Sequence, residues 1–149
     1  MSKNNIIIVN IKLFDKSLPH PEYKTEGAAA FDLYAREQTV IPSHSIGYVP
    51  LNVALQLPEG YWALMAARSS LHKRGVMMAN GIGVGDYDYR GDNDEYRAAL
   101  YNFTSEDVVI EKAERIVQMI ILRRDPVQFE EFDKFDDKSR GGFGSTGRK

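Results

Sequence analysis

Apolar residues recur along this chain in short bursts, most of them β-branched or alternating with polar positions. The run IIIVNIKLF from Ile6 to Phe14 opens the series. In SIGYVPLNVALQLP, Ile46 and Tyr48, then Val53, Leu55 and Leu57, fall at period two, the pattern of half-buried strand. YWALMAA, GVMMANG, EYRAALYNF, VVIEKAERIVQMIILRR and VQFEEF follow at short intervals, separated by turn material such as PEG, NGIG and YRGDND. Propensity alone allows a helix over EKAERIVQMIILRR, yet its Ile-Val and Met-Ile-Ile-Leu content favours a buried strand. RSSLHKRG is the place best suited to a short helical turn. The pattern therefore predicts an all-β barrel or sandwich. No repeat or linker divides the chain, and only the tail FDKFDDKSRGGFGSTGRK breaks the composition. A domain over 1–133 and a flexible C-terminal arm over 134–149 are expected.

Composition narrows the chemistry. At 149 residues, one domain with a respectable core is the default. With 43% apolar and 27% charged residues, the chain reads as an ordinary soluble globular protein. A net charge of −2 argues against general affinity for nucleic acid or anionic membrane, so an anionic ligand needs a local site. Cysteine is absent, which excludes disulfide and thiolate chemistry and is compatible with a reducing compartment; a cytoplasmic location is expected. His20, His44 and His72 are too scattered for a zinc site. The start MSKNNIIIVNIKLF has no small-residue cleavage site and too short an apolar run to span a membrane.

Two phosphate-binding signatures fail on context. GIGVGD (Gly81 to Asp86) puts Asp86 where a third dinucleotide-fold glycine belongs, and no helix follows. Gly142 to Gly147 has P-loop spacing, but Arg148 replaces the lysine and the chain stops at Lys149.

Five other stretches form an ordered set: AAFDLYA (Ala29 to Ala35), ARSSLHKRG (Ala67 to Gly75), NGIGVGDYDYRGD (Asn80 to Asp92), AERIVQMI (Ala113 to Ile120) and GGFGSTG (Gly141 to Gly147). Singly, each key residue has an ordinary structural reading. Asp86 is a turn aspartate, Tyr89 a core aromatic, Asn80 part of a hairpin turn, and Gln118 a buried amide in need of a partner. Together, in this order and spacing, the five stretches resemble the motifs of the trimeric dUTPase family over nearly the whole chain.

The resemblance implies a distorted β-barrel or jelly roll with one short helix, and an enzyme that hydrolyses dUTP to dUMP and pyrophosphate with Mg2+. Such an enzyme keeps uracil out of DNA and supplies dUMP for thymidylate synthesis. Asp86 matches the family's general base, which activates a water for in-line attack on the α-phosphorus. Tyr89 matches the tyrosine that packs on the deoxyribose and rejects a 2′-hydroxyl. Asn80, with the hairpin backbone at Gly83, Val84 and Gly85, matches the uracil reader, too narrow for a 5-methyl group. Arg68, Ser69 and Ser70 correspond to the phosphate-holding stretch, and Gln118 to the contact near the α-phosphate. Asp32 matches the aspartate that holds a magnesium-bound water, the ion itself being carried by the triphosphate. Phe143 would stack on uracil while Gly144 and Ser145 meet the phosphates, closing the arm as a lid. A homotrimer with shared sites is implied.

Four departures from the family pattern stand out. Ser70 takes the place of a glycine, Gly85 that of the isoleucine before the catalytic aspartate, and the loop through Asp92–Glu95 carries about three extra, acidic residues. The arm arginine falls five residues before the phenylalanine in the family. Here Lys138 holds that spacing and Arg140 lies closer; Arg140 is favoured because a guanidinium grips phosphate bidentately. The carboxylates of GDNDE are expected to form a solvated loop rather than a metal site. Two rivals remain: a dCTP deaminase-like enzyme, disfavoured because Ala99 stands where that family carries its glutamate, and a trimeric nucleotide-binding scaffold without catalysis.

Overall fold

Backbone hydrogen bonding follows the apolar runs. The computed structural model describes residues 6–149, so the reading of the first five residues as neither leader nor anchor lies outside the described residues. The strands are β1 (Asn10–Leu13), β2 (Phe31–Tyr34), β3 (Thr39–Ile41), β4 (Ile46–Pro50), β5 (Val53–Gln56), β6 (Tyr61–Ala67), β7 (Val76–Met78), β8 (Gly83–Gly85), β9 (Arg97–Asn102), β10 (Val108–Ile110) and β11 (Arg115–Arg123). They pair antiparallel in four sheets: β2-β11-β6-β8, β4-β9-β7, β1-β5 and β3-β10. The class is all-β, of jelly-roll type. Among the described residues the sheets remain separate ladders rather than one closed barrel.

Alternation decides which face each strand buries. Leu33, Val117, Met119, Ala63 and Met65 point inward from the four-stranded sheet; Val49, Ala98, Leu100, Val76 and Met78 do so from the three-stranded sheet. All ten belong to one buried cluster. Each large aliphatic side chain so placed stabilises by about 1.5–3 kcal/mol. The opposite face of the four-stranded sheet carries Asp32, Gln118 and Ala66 in one row, because Gln118 is paired with both of the others.

The helical turn expected in RSSLHKRG is a 3-10 turn over Leu71–Arg74, ended by Gly75 in the left-handed region (φ 82°) with its N–H donated to the His72 carbonyl. The strand reading of EKAERIVQMIILRR holds, as β11, with β10 in the VVI just before it.

Three strand expectations need correction. β1 begins only at Asn10, leaving Ile6 and Ile8 exposed beyond the end of its partner β5. Ile46 and Tyr48 are exposed, because Gly47 and Val49 are the β4 residues turned inward. VQFEEF forms no strand. The last ladder ends at Arg123, Pro126 has no N–H to donate, and Val127, Phe129 and Phe132 are exposed. No helix among the described residues is long and apolar enough to cross a membrane.

Candidate active site

The hairpin from β7 to β8 brings most of the expected nucleoside-reading residues to one cleft. Asn80, Gly83, Val84, Gly85, Asp86 and Tyr89 line a cleft of about 660 Å³, together with Tyr48, Asn93, Asp94, Tyr96, Arg97 and Ala99. Gly81 occupies the left-handed region (φ 73°), as the hairpin turn requires. After Gly85 the chain turns sharply, with the Tyr89 N–H donated to the Asp86 carbonyl at 3.2 Å. The turn thus uses the main chain of Asp86, and its carboxylate is left exposed at the cleft.

Tyr89 is held from behind. Its hydroxyl donates to the Glu95 carbonyl at 2.9 Å, and its ring meets Tyr96 edge-on at 5.3 Å. Burial, then the nearby Asp94 carboxylate, raises the Tyr89 hydroxyl pKa. Tyr96 is 6% exposed, its hydroxyl is buried without a partner, and burial first, then Tyr89 and Asp86, push its pKa up to about 12. Its ring fills the space beside Gly85: a Cβ there would stand 2.9 Å from Tyr96 Cε1 and 3.0 Å from Ala63 Cβ. Tyr96 therefore occupies the volume that a side chain at 85 would need.

The acidic loop divides in two. Asp92 pairs with Lys12 at the surface, and Asp94 accepts the Gly91 N–H at 2.7 Å, as a solvated loop would have it. Glu95 does not follow that expectation. It is 6% exposed, gripped by Arg36 at 2.8 and 3.1 Å, and it accepts the buried Asn52 N–H at 2.9 Å. The pairing with Glu95 in turn raises the Arg36 pKa.

A second cluster gathers at the far end of β6. Arg68 follows that strand; its Nε lies 3.3 Å from Asp32 Oδ1 and its Nη1 donates to the Arg115 carbonyl at 3.1 Å. Arg115 Nη1 donates to Asp32 Oδ2 at 3.1 Å, and Gln118 Nε2 donates to the Ala67 carbonyl at 3.0 Å. Ser69 and Ser70 are exposed beside them. Ser70 has φ −100°, so the position makes no demand for glycine, and its hydroxyl makes no capping bond. One chain thus holds two cations and an amide around a single carboxylate, next to free hydroxyls and a 3-10 turn: a polyanion-binding constellation.

These two clusters are far apart within one chain. Gly85 pairs with Ala63, and Asp86 borders a surface hollow with Tyr61 and Trp62. From Trp62 to Arg68, β6 advances roughly 20 Å at strand rise. The tail joins neither cluster. Arg140, Phe143, Gly144 and Ser145 are exposed, the Ser145 N–H closing a local turn onto the Gly142 carbonyl at 3.1 Å.

Sequence alone assigns no role to Arg115, Arg36 or Tyr96, and places Glu95 in a solvated loop. A charged residue opening an apolar strand was the available sign for Arg115. The empty position at Gly85 called for a compensating bulky residue without saying which.

A family model described as dUTPase matches residues 16–147. The deoxyuridine 5′-triphosphate nucleotidohydrolase of Rickettsia prowazekii (strain Madrid E) is 42% identical over 148 residues, covering 95% of this chain and 98% of that protein. The crystal structure of dUTPase from Streptococcus mutans superimposes with a TM-score of 0.72 at 29% identity, over 80% of this chain and 98% of that one. A mutant dUTPase of Staphylococcus bacteriophage 80alpha with dUpNHpp shares the fold at a TM-score of 0.81 and 22% identity, over 95% and 99% of the two chains.

Proposed function

This chain belongs to the dUTPase family, and from that premise we propose that it hydrolyses dUTP to dUMP and pyrophosphate in the cytoplasm, Asp86 activating the attacking water. The observation that carries the reading is the free Asp86 carboxylate at the rim of a cleft lined by Asn80, the Gly83–Gly85 backbone and Tyr89. The cleft has the size and the mixture of flat aromatic and polar groups that a nucleoside requires. The water oxygen bonds to the α-phosphorus, its proton passes to Asp86, and the bond from that phosphorus to the bridging oxygen breaks, so that pyrophosphate leaves with the electron pair. Asn80 and the hairpin backbone read uracil, and Tyr89 covers the sugar face where a 2′-hydroxyl would project.

The phosphates belong to the second cluster. Arg68 and Arg115, held side by side by Asp32, supply positive charge; Ser69, Ser70 and Gln118 supply donors. Among the described residues no three His, Asp or Glu side chains converge on a metal position. Asp32, its two oxygens already held by Arg68 and Arg115, fits an ion carried on the triphosphate and reached through water, as Mg2+ would be. When bound, the ion neutralises charge along the phosphates.

Asp86 and Arg68 lie at opposite ends of β6, roughly 20 Å apart along the strand, a separation that favours a homotrimer with each site shared between subunits. Ile46, Tyr48 and Met77 support it as well. They lie exposed on the outer face of the three-stranded sheet, and Tyr48 also borders the cleft. The arm over 134–149 then closes from another subunit, with Phe143 on the uracil, Arg140 (rather than Lys138), Gly144 and Ser145 on the phosphates. A dCTP deaminase-like reaction is disfavoured because Ala99 presents a methyl group to the cleft where that chemistry needs an acid.

Pyrophosphate release from dUTP, measured beside dCTP, dTTP and UTP with and without Mg2+, tests the proposal. Release from dUTP alone, dependent on Mg2+, is expected; ammonia release from dCTP would overturn it.

A further inference from the structure

Tyr96 touches both ends of the loop that carries the reaction and itself belongs to neither. We propose that Tyr96 is a positioning residue that sets sugar selectivity, holding Tyr89 against the 2′ position and filling the notch at Gly85; the proposal rests on the dUTP-hydrolysing reading above. Its main chain is fixed on both sides, with its N–H donated to the Val53 carbonyl and its carbonyl accepting the Leu51 N–H, each at 2.9 Å. From that anchor the ring fills the volume left by the absent side chain at 85 and presents its flank to Tyr89, at 5.3 Å and 86°. An edge-to-face pair of this kind fixes orientation as well as adding burial.

The neighbouring residue completes the clamp. Glu95, anchored by Arg36 and the Asn52 N–H, offers its carbonyl to the Tyr89 hydroxyl. Tyr89 is thus held at its tip by residue 95 and along its face by residue 96. The extra residues of the acidic loop make this possible: Gly91 and Asp94 exchange hydrogen bonds in a tight turn that brings Glu95 back over Tyr89. A tyrosine that cannot tilt away excludes a 2′-hydroxyl by shape, whereas one free to tilt admits it. Steric discrimination of this size is worth about tenfold or more.

The experiment compares kcat and KM for dUTP and UTP, with Tm, in wild type, Tyr96→Phe, Tyr96→Val, Gly85→Ile and the Gly85→Ile/Tyr96→Val double variant. Tyr96→Val is expected to lower the dUTP:UTP ratio of kcat/KM about tenfold, and Tyr96→Phe, which keeps the ring, to retain it. Gly85→Ile alone forces a side chain into the ring and is expected to lower Tm. The double variant refills the notch without restoring the edge against Tyr89, so it should recover most of the lost Tm, the Ala63 Cβ still pressing at 3.0 Å, yet keep the lowered ratio; it therefore separates positioning from folding even where Tyr96→Val alone does not fold. A wild-type ratio in the double variant, or Tm effects that simply add, would overturn the proposal. A wild type without dUTP turnover overturns the underlying function and the sugar role together, whereas an unchanged ratio in active variants overturns the sugar role alone.

Discussion

Asp86 and Arg68 sit at opposite ends of the β6 ladder, Asp86 beside its first residues and Arg68 just past its last. On the proposed homotrimer, each site takes its Asp86 and its Arg68 from different subunits. Mixing Asp86→Asn chains with Arg68→Ala chains, each inactive alone, should therefore restore activity, up to roughly a quarter of wild-type sites with random association into trimers. Subunit exchange followed by a pyrophosphate assay checks this. An inactive mixture of verified mixed trimers would show that one chain carries both groups of a given site.

Asp86→Asn removes the base while keeping shape and hydrogen-bonding capacity. Turnover should fall by about 10²-fold or more with dUTP binding retained, because general-base assistance is typically worth that much. Single-turnover kinetics beside calorimetric titration separates the two effects. Near-normal turnover would remove Asp86 from the role.

The two kinds of carboxylate in the acidic loop should part sharply on mutation. Glu95→Ala strips Arg36 of its buried partner, leaving only the surface contact with Glu37 at 3.6 Å, and leaves the buried Asn52 N–H without an acceptor, a loss of about 2–4 kcal/mol. Asp92→Ala breaks only the surface pair with Lys12 and should change stability by less than about 0.5 kcal/mol. Urea denaturation of both variants provides the measurement.

Alkaline pH should single out Tyr96. Its hydroxyl is pushed up to about 12 by burial, so the unfolded chain loses that proton near pH 10 while the folded chain keeps it. The stabilising contribution is whole below pH 10 and is lost as pH rises through the folded value, by roughly 2–3 kcal/mol. Tyr96→Phe removes this loss. It should be as stable as wild type near pH 7, since the hydroxyl has no partner, and less alkali-sensitive between pH 10 and 12.

The arm makes a prediction about affinity without stability. Residues 134–149 are exposed throughout, so deleting them should leave Tm unchanged and weaken nucleotide binding. Within the arm, Arg140→Ala should weaken dUTP binding by about tenfold and Lys138→Ala by less, since a guanidinium can grip phosphate bidentately where an ammonium acts as a point charge. The reverse order would give the phosphate role to Lys138.

Period-two apolar runs made the all-β class and most strand positions legible, and the five ordered motifs made the family legible. Strand limits were not, because they depend on a partner's reach: Ile6 to Val9 extend past β5, and VQFEEF meets no partner ladder. The facing of Ile46 and Tyr48 was lost for a similar reason, since Gly47 has no side chain to mark the inward face. Within the site, Asp86, Asn80 and Tyr89 could be found as single letters in register. The supports behind them, Tyr96 and the Arg36–Glu95 pair, join residues far apart or of unremarkable type. Only the folded geometry pairs Arg36 with a carboxylate 59 positions away.

The exchange of volume between positions 85 and 96 also bears on how such a chain arises. With the ring in place, no side chain fits at 85; with a glycine at 85 and a small residue at 96, a hole opens beside the base. Either change made alone carries a packing cost, a clash in one order and a cavity in the other, so the two positions are coupled through shared volume. A relative bearing isoleucine before its aspartate should, by the same reasoning, carry a small side chain where this one has Tyr96.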